Sequence, residues 1–153
     1  MGIYIKREGS DMKKILVPVD GSENSKKALI KAKEFGLNNE SDVIILCVVN
    51  SLKDNPYVVD QDFTTELSKK NIETGKSILN EALNIFKDYP YKVETRLRNA
   101  EDIAEAIIET AEEEAVDLIV MGRRGWNISS RSLLGSVSNK VLNYANKSVL
   151  VVK

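Results

Sequence analysis

The chain predicts a single α/β domain, a parallel sheet with helices on both faces. Three observations carry that expectation. Short β-branched apolar runs alternate with longer stretches of helical period, the signature of strands joined by crossover helices. Two of the runs, residues 15–19 and 43–49, carry no polar alternation, as in strands covered on both sides. And 153 residues, 42% of them hydrophobic, suffice for one core without disulfides or a structural metal.

Each element follows from its residues. Residues 15–19 make the first strand. Ser22 caps the helix after it, Glu23 favours the positive end of that helix's dipole, and Ala28, Leu29, Ala32 and Phe35 mark its buried face. Gly36 reads as its C-terminal stop. Residues 43–49 form the second strand. The Ser, Asn, Pro and Asp of residues 50–62 predict a loop. A long helix over 64–87 follows, with Leu67, Gly75, Ile78, Leu79, Ala82 and Phe86 as its stripe and Pro90 marking its end. In residues 91–98, Val93, Thr95 and Leu97 alternate with Lys92, Glu94, Arg96 and Arg98. Period two with one charged face predicts a half-exposed strand at a sheet edge. Asn99 with Asp102 resembles a capping box, and Ile103, Ile107 and Ala111 run down the next helix. A strand over 116–121, a polar loop over 122–131, a short helix over 133–145 and a last strand over 148–152 complete the chain. Residues 1–11 read as a flexible N-terminal arm that lacks the apolar stretch of a signal peptide, which leaves 12–153 as the domain.

Composition excludes several functions. With 22 basic and 23 acidic side chains the net charge is −1, so the whole molecule has no pull toward nucleic acid or anionic lipid. No apolar run approaches the ~20 residues a membrane span needs. The absence of histidine removes the usual neutral-pH general base and every Ser–His or Cys–His relay. The single cysteine, Cys47, sits in an apolar run and reads as a buried small hydrophobe in a reducing, cytoplasmic setting.

In open parallel sheets, ligands bind beyond the carboxyl ends of the strands, where strand order reverses. The residues after the first strand, Pro18, Val19 and Asp20, are therefore candidates. So are those after the fourth, Met121, Gly122, Arg123, Arg124 and Gly125, and those that open the next helix, Gly135, Ser136, Val137 and Ser138. Glycines let a backbone approach an oxygen-rich group, successive N–H groups form an anion-binding concavity, and a helix N-terminus favours negative charge. Arg123, Arg124 and Arg131 add guanidinium donors. The same glycines also suit a tight turn with close helix–sheet contact, so spacing alone leaves both readings open. Asp20 suits a divalent cation or a ribose hydroxyl, and equally a turn with Gly21. Neither GxGxxG after a strand nor GxxxxGK[ST] is present.

Gly122-x2-Gly125-x9-Gly135-Ser136 resembles the nucleotide-binding signature of the universal stress protein family, in its ATP-binding branch. The likeness runs from Met12 to Lys153 and includes Lys14-Ile15-Leu16-Val17-Pro18-Val19-Asp20-Gly21-Ser22 and the strands at 116–122 and 148–152. It implies a three-layer α/β/α sandwich, Rossmann-like, with a five-stranded parallel sheet in the order 3-2-1-4-5. It also implies that Pro18, Val19 and Asp20 line the adenosine and metal side, and that Val48 meets the adenine through its backbone. Met121, Gly122 and Gly125 would wrap the ribose and phosphates, and Gly135, Ser136, Val137 and Ser138 would hold the phosphate tail. Arg123-Arg124 stands where relatives often carry a small polar residue and a histidine or arginine. The ligand implied is ATP, or ADP or AMP, with Mg²⁺ or Mn²⁺ at Asp20. The family also implies a homodimer through the strand at 148–152. The expected function is nucleotide-occupancy signalling in a stress response, read by a protein partner. Two rivals stand beside it: a slow ATPase or autophosphorylating phosphoryl-transfer protein, and an interaction module that binds no nucleotide. With no base tuned near neutrality, the residues do not suit efficient turnover.

Overall fold

Strand segments with apolar side chains on both sides leave no face for water, and they take the middle of the sheet. The computed structural model describes residues 2–5, 12–50, 61–124 and 134–153, with the backbone alone at 2–5 and 61–65. Its elements run β1 (Gly2–Ile5), β2 (Lys14–Pro18), α1 (Glu23–Asn39), β3 (Asp42–Val49), α2 (Gln61–Ile85), β4 (Val93–Asn99), α3 (Ile103–Glu113), β5 (Leu118–Gly122), α4 (Ser136–Tyr144) and β6 (Ser148–Val152). The sheet order is β1-β6-β5-β2-β3-β4. The five strands from β4 to β6 are mutually parallel. Counted from β2, they stand in the order 3-2-1-4-5, with the switch point between β2 and β5.

Side chains alternate across each strand, and the two faces bury different helices. Ile15, Val17, Val43, Ile45 and Cys47 pack against Ala28, Leu29 and Ala32 of α1 and Leu79 and Ala82 of α2. Leu16, Ile44, Leu46, Ile119 and Met121 pack against Ala104, Ile107 and Ala111 of α3 and Val141 of α4. The charged alternating strand, β4, lies at one edge and is half-buried along most of its length.

Four expectations need correction. Gly36 does not end its helix: α1 runs to Asn39 and closes on Glu40, in the left-handed region at φ 55°. Gly36 is glycine because a Cβ there would stand 2.1 Å from the Tyr89 hydroxyl, which donates to the Ser41 carbonyl at 2.5 Å. The cap of α3 is Asp102, whose carboxylate accepts from the Glu105 N–H at 3.0 Å; Asn99 belongs to β4. Finally, the arm expected over residues 1–11 contains β1. Gly2–Ile5 pairs antiparallel with the outer edge of β6, from Gly2 opposite Val152 to Ile5 opposite Val149. The α2 helix also begins three residues earlier than expected, at Gln61. Of the loop expected over 50–62, residues 51–60 lie outside the described residues.

Candidate functional site

The site is assembled where β2 and β5 end. Pro18 closes β2, and the Val19 N–H still donates to the Leu46 carbonyl at 2.8 Å, so the chain stays against β3 for one more residue. It then turns. Asp20 Oδ1 accepts from the Ser22 N–H at 2.9 Å, and Ser22 Oγ accepts from the Ser25 N–H at 3.2 Å to start α1. Asp20 therefore serves the turn and also faces the cleft.

The other wall forms around Gly122. A Cβ at this position would stand 2.8 Å from the Asn24 carbonyl oxygen, so glycine is what lets the first turn of α1 press on the end of β5. The Arg123 N–H donates to the Val152 carbonyl at 2.9 Å, and the Arg123 carbonyl accepts from the Gly135 N–H at 2.8 Å. Ser138 Oγ donates to the Gly122 carbonyl at 2.8 Å. Together these bonds set the start of α4 over the end of β5. Gly135 caps that helix in extended backbone and supplies no side-chain hydrogen bond to it. Among the described residues no side chain caps the first amides of α4, the arrangement that accepts an anion.

Between these walls lies a cleft lined by Pro18, Val19, Asp20, Ser22, Ser25, Leu46, Val48, Ile103, Ile107, Met121, Gly122, Arg124, Val137 and Ser138. Its cavity volume is about 120 Å³. Leu46, Val48, Ile103, Ile107 and Met121 give it an apolar side; Asp20, Arg124 and Ser138 give it a polar one. A shallower recess shares Ile103 and Val137 and adds Asp102, Ser136 and Lys140. There the Lys140 ammonium pairs with Asp102. That hydrogen bond holds the Asp102 carboxyl below its usual range and raises the Lys140 ammonium. The pair ties the N-terminus of α3 to α4. Behind the cleft, burial, with the Asp20 charge second, pushes the Cys47 thiol up to about 11. It is a protonated packing group at neutral pH.

Of the residues singled out from sequence, Pro18, Val19, Asp20, Val48, Met121, Gly122, Arg124, Val137 and Ser138 line the cleft. Arg123 and Gly135 shape it through their main-chain bonds, and Ser136 faces the neighbouring recess. Gly125 and Arg131 lie outside the described residues. Sequence reading missed Ser22, Ser25, Leu46, Ile103 and Ile107 as lining groups. The isoleucines were legible only as a helix stripe. Their position in the first turns after a strand's carboxyl end was the signal that could have found them. Among the described residues no cluster of three or more His, Cys, Asp or Glu side chains forms a metal cage, and no helix is long and apolar enough to cross a membrane.

A family profile described as the universal stress protein family matches residues 12–153. The chain belongs to the universal stress protein family. Universal stress protein MJ0531 of Methanocaldococcus jannaschii is 35% identical over 154 residues, which span 97% of this chain and 87% of that one. Universal stress protein MJ0577 of the same organism is 32% identical over 160 residues, 92% of this chain and 94% of that one. The solved structure of MJ0577 superposes with a TM-score of 0.83 at 34% identity, covering 94% of this chain and 97% of that one. A universal stress protein solved in complex with cAMP superposes with a TM-score of 0.69 at 26% identity, covering 94% and 99%. The fold of this universal stress protein is thus the Rossmann-like one of its relatives.

Proposed function

We propose that this chain binds an adenine nucleotide, ATP or its shorter forms ADP and AMP, in the cleft between β2 and β5, and acts by occupancy. The observation that carries this reading is the pairing of an apolar pocket with an uncapped helix N-terminus in one cleft. Val48, Ile103, Ile107 and Met121 offer a dry seat for a base, while Ser138, Arg124 and the start of α4 form a polar side suited to phosphates. The relative solved with cAMP supports the same class of ligand.

The donor set fits a cation that arrives with the phosphates. Asp20 is a single carboxylate beside the anion end, and hard divalent cations such as Mg²⁺ or Mn²⁺ take several oxygens, readily including phosphate and water. Asp20 would hold such an ion together with the nucleotide; among the described residues no cluster of carboxylates could hold a cation by protein alone. When bound, the ion would neutralise phosphate charge. The chain's own part is to seat the base, orient the phosphates through α4 and order the surface that a protein partner reads in a stress response. A homodimer through β6 is part of this reading, as is a cytoplasmic setting.

The ligand test is direct. Protein purified without added nucleotide is denatured and the released small molecules are identified by mass spectrometry. An adenine nucleotide near one per chain is expected. Release of no nucleotide, from protein that also fails to bind added ATP, would overturn the reading.

A further inference from the structure

The two edges of the sheet are protected in different ways. On β4, Glu94, Arg96 and Arg98 form ion pairs, Arg96 with Glu94 at 2.6 Å and Glu114 at 2.9 Å, and Arg98 with Glu109 and Glu113 at 3.3 Å. Charged side chains of this kind blunt an edge against pairing. The β6 strand, Ser-Val-Leu-Val-Val, has no charge. Its inner side is fully paired with β5, from Leu118 opposite Ser148 to Gly122 opposite Val152. Among the described residues its outer side is covered by β1, a strand of four residues.

We propose that β1 is an exchangeable cover, which competes with a second copy of this chain for the outer edge of β6. The inference deepens the β6 pairing stated above and rests on it. The β1 strand meets β6 antiparallel, which is also the direction in which a second β6 would meet it across a two-fold axis. Such a pair is self-complementary: Leu150 faces its own copy, and Val149 faces Val151. Both occupants use the same row of β6 amides and carbonyls, so they exclude one another. A strand of four residues, joined to the domain by its own chain, has the advantage of high effective concentration. The second copy has the advantage of a longer apolar strand and rises with concentration. The N-terminal segment therefore sets the concentration at which the chain dimerises.

Sedimentation equilibrium over a range of concentrations tests this with three forms of the full chain. In Ile3→Pro/Ile5→Pro, β1 loses two backbone donors, and the dimer dissociation constant is expected to fall at least tenfold relative to the unaltered chain. In Tyr4→Cys/Leu150→Cys, whose positions face each other, the oxidised form is expected to stay monomeric and the reduced form to dimerise. Equal dimerisation of the unaltered, proline and oxidised forms would overturn the exchange, because the dimer would then use another face. Monomers throughout would overturn β6 pairing itself. The disulfide pair keeps the test decisive if the prolines disturb folding.

Discussion

Asp20 and Gly122 both line the cleft and answer to different physics. Asp20 already accepts the Ser22 N–H, so its turn role survives a change to the neutral amide, whose oxygen accepts the same bond. Asp20→Asn is therefore expected to leave Tm within about 2 °C. It should weaken binding of Mg²⁺–ATP by about ten- to a hundredfold, since hydrogen bonds and contacts to charged groups run to about 1.5–3 kcal/mol. Calorimetric titration with and without the metal checks it; an equal loss in both would remove Asp20 from the metal's surroundings. Gly122→Ala acts through packing. Its Cβ would meet the Asn24 backbone at 2.8–2.9 Å, and a helix backbone yields poorly, so a loss of about 1–3 kcal/mol in stability is expected. Urea denaturation measures it, and an unchanged midpoint would refute the close contact. Glycine at 122 was legible in the sequence as a loop signal, but whether it served a phosphate or a helix contact was not. The geometry shows the contact with α1; the proposed phosphate seat lies beside it, at the N-terminus of α4.

At the scale of elements, α1, α2 and the turn at Tyr89 interlock through one missing methyl. Gly36→Ala would drive a Cβ to 2.1 Å from the Tyr89 hydroxyl, with an expected cost of about 2 kcal/mol. Adding Tyr89→Phe removes the clashing oxygen and is expected to recover part of that loss, so the double variant should be about 1 kcal/mol more stable than the sum of the singles predicts. Strict additivity in a double-mutant cycle would contradict the contact. Strands and helices were readable because period two and period 3.6 are written locally. The role of Gly36 was not, since its reason lies 53 positions away at Tyr89. The same holds for β1. Ile3-Tyr4-Ile5 carries strand propensity, but its partner is at the other end of the chain, and four residues beside charged Lys6 and Arg7 gave no pattern long enough to separate strand from arm. Ile103 and Ile107 show the converse: their helix was evident, and only the topology turned a core stripe into a pocket wall.

For the whole molecule, the ionic pairs and the buried acids predict how stability follows pH. Lys33 holds the Asp88 carboxyl below its usual range, Lys92 and then Arg96 do so for Glu94, and Lys140 does so for Asp102. A carboxyl depressed in the folded state contributes stability above its unfolded value and loses it as pH falls through the folded one. Asp88 is exposed and Glu94 and Asp102 are half-exposed, so each contribution is small, and the loss falls below about pH 4. Burial raises the Cys47 thiol to about 11 and the Tyr89 phenol to about 12. Their protonated forms favour the fold, so that stability is complete below their unfolded values and declines as pH rises from about 9. The sequence holds no histidine, and the shifts named above act outside the window between these limits. The urea midpoint should be level from about pH 5 to 8, and a step within that window would contradict the assignment.

The central claim is that the uncapped start of α4 seats the phosphates of an adenine nucleotide, and Gly135→Val tests it most directly. The backbone there is extended, φ −70° and ψ 165°, and a Cβ would lie 3.4 Å from the Arg124 Cα, an ordinary contact, so the variant is expected to fold. Its branched side chain would crowd the N-cap position, between the Arg123-Arg124 backbone and the start of α4. Isothermal titration of both proteins with ATP and Mg²⁺ should show saturable binding near one per chain for the unaltered protein and an affinity at least tenfold weaker for Gly135→Val. Equal affinity in the two, with both folded, would contradict the account.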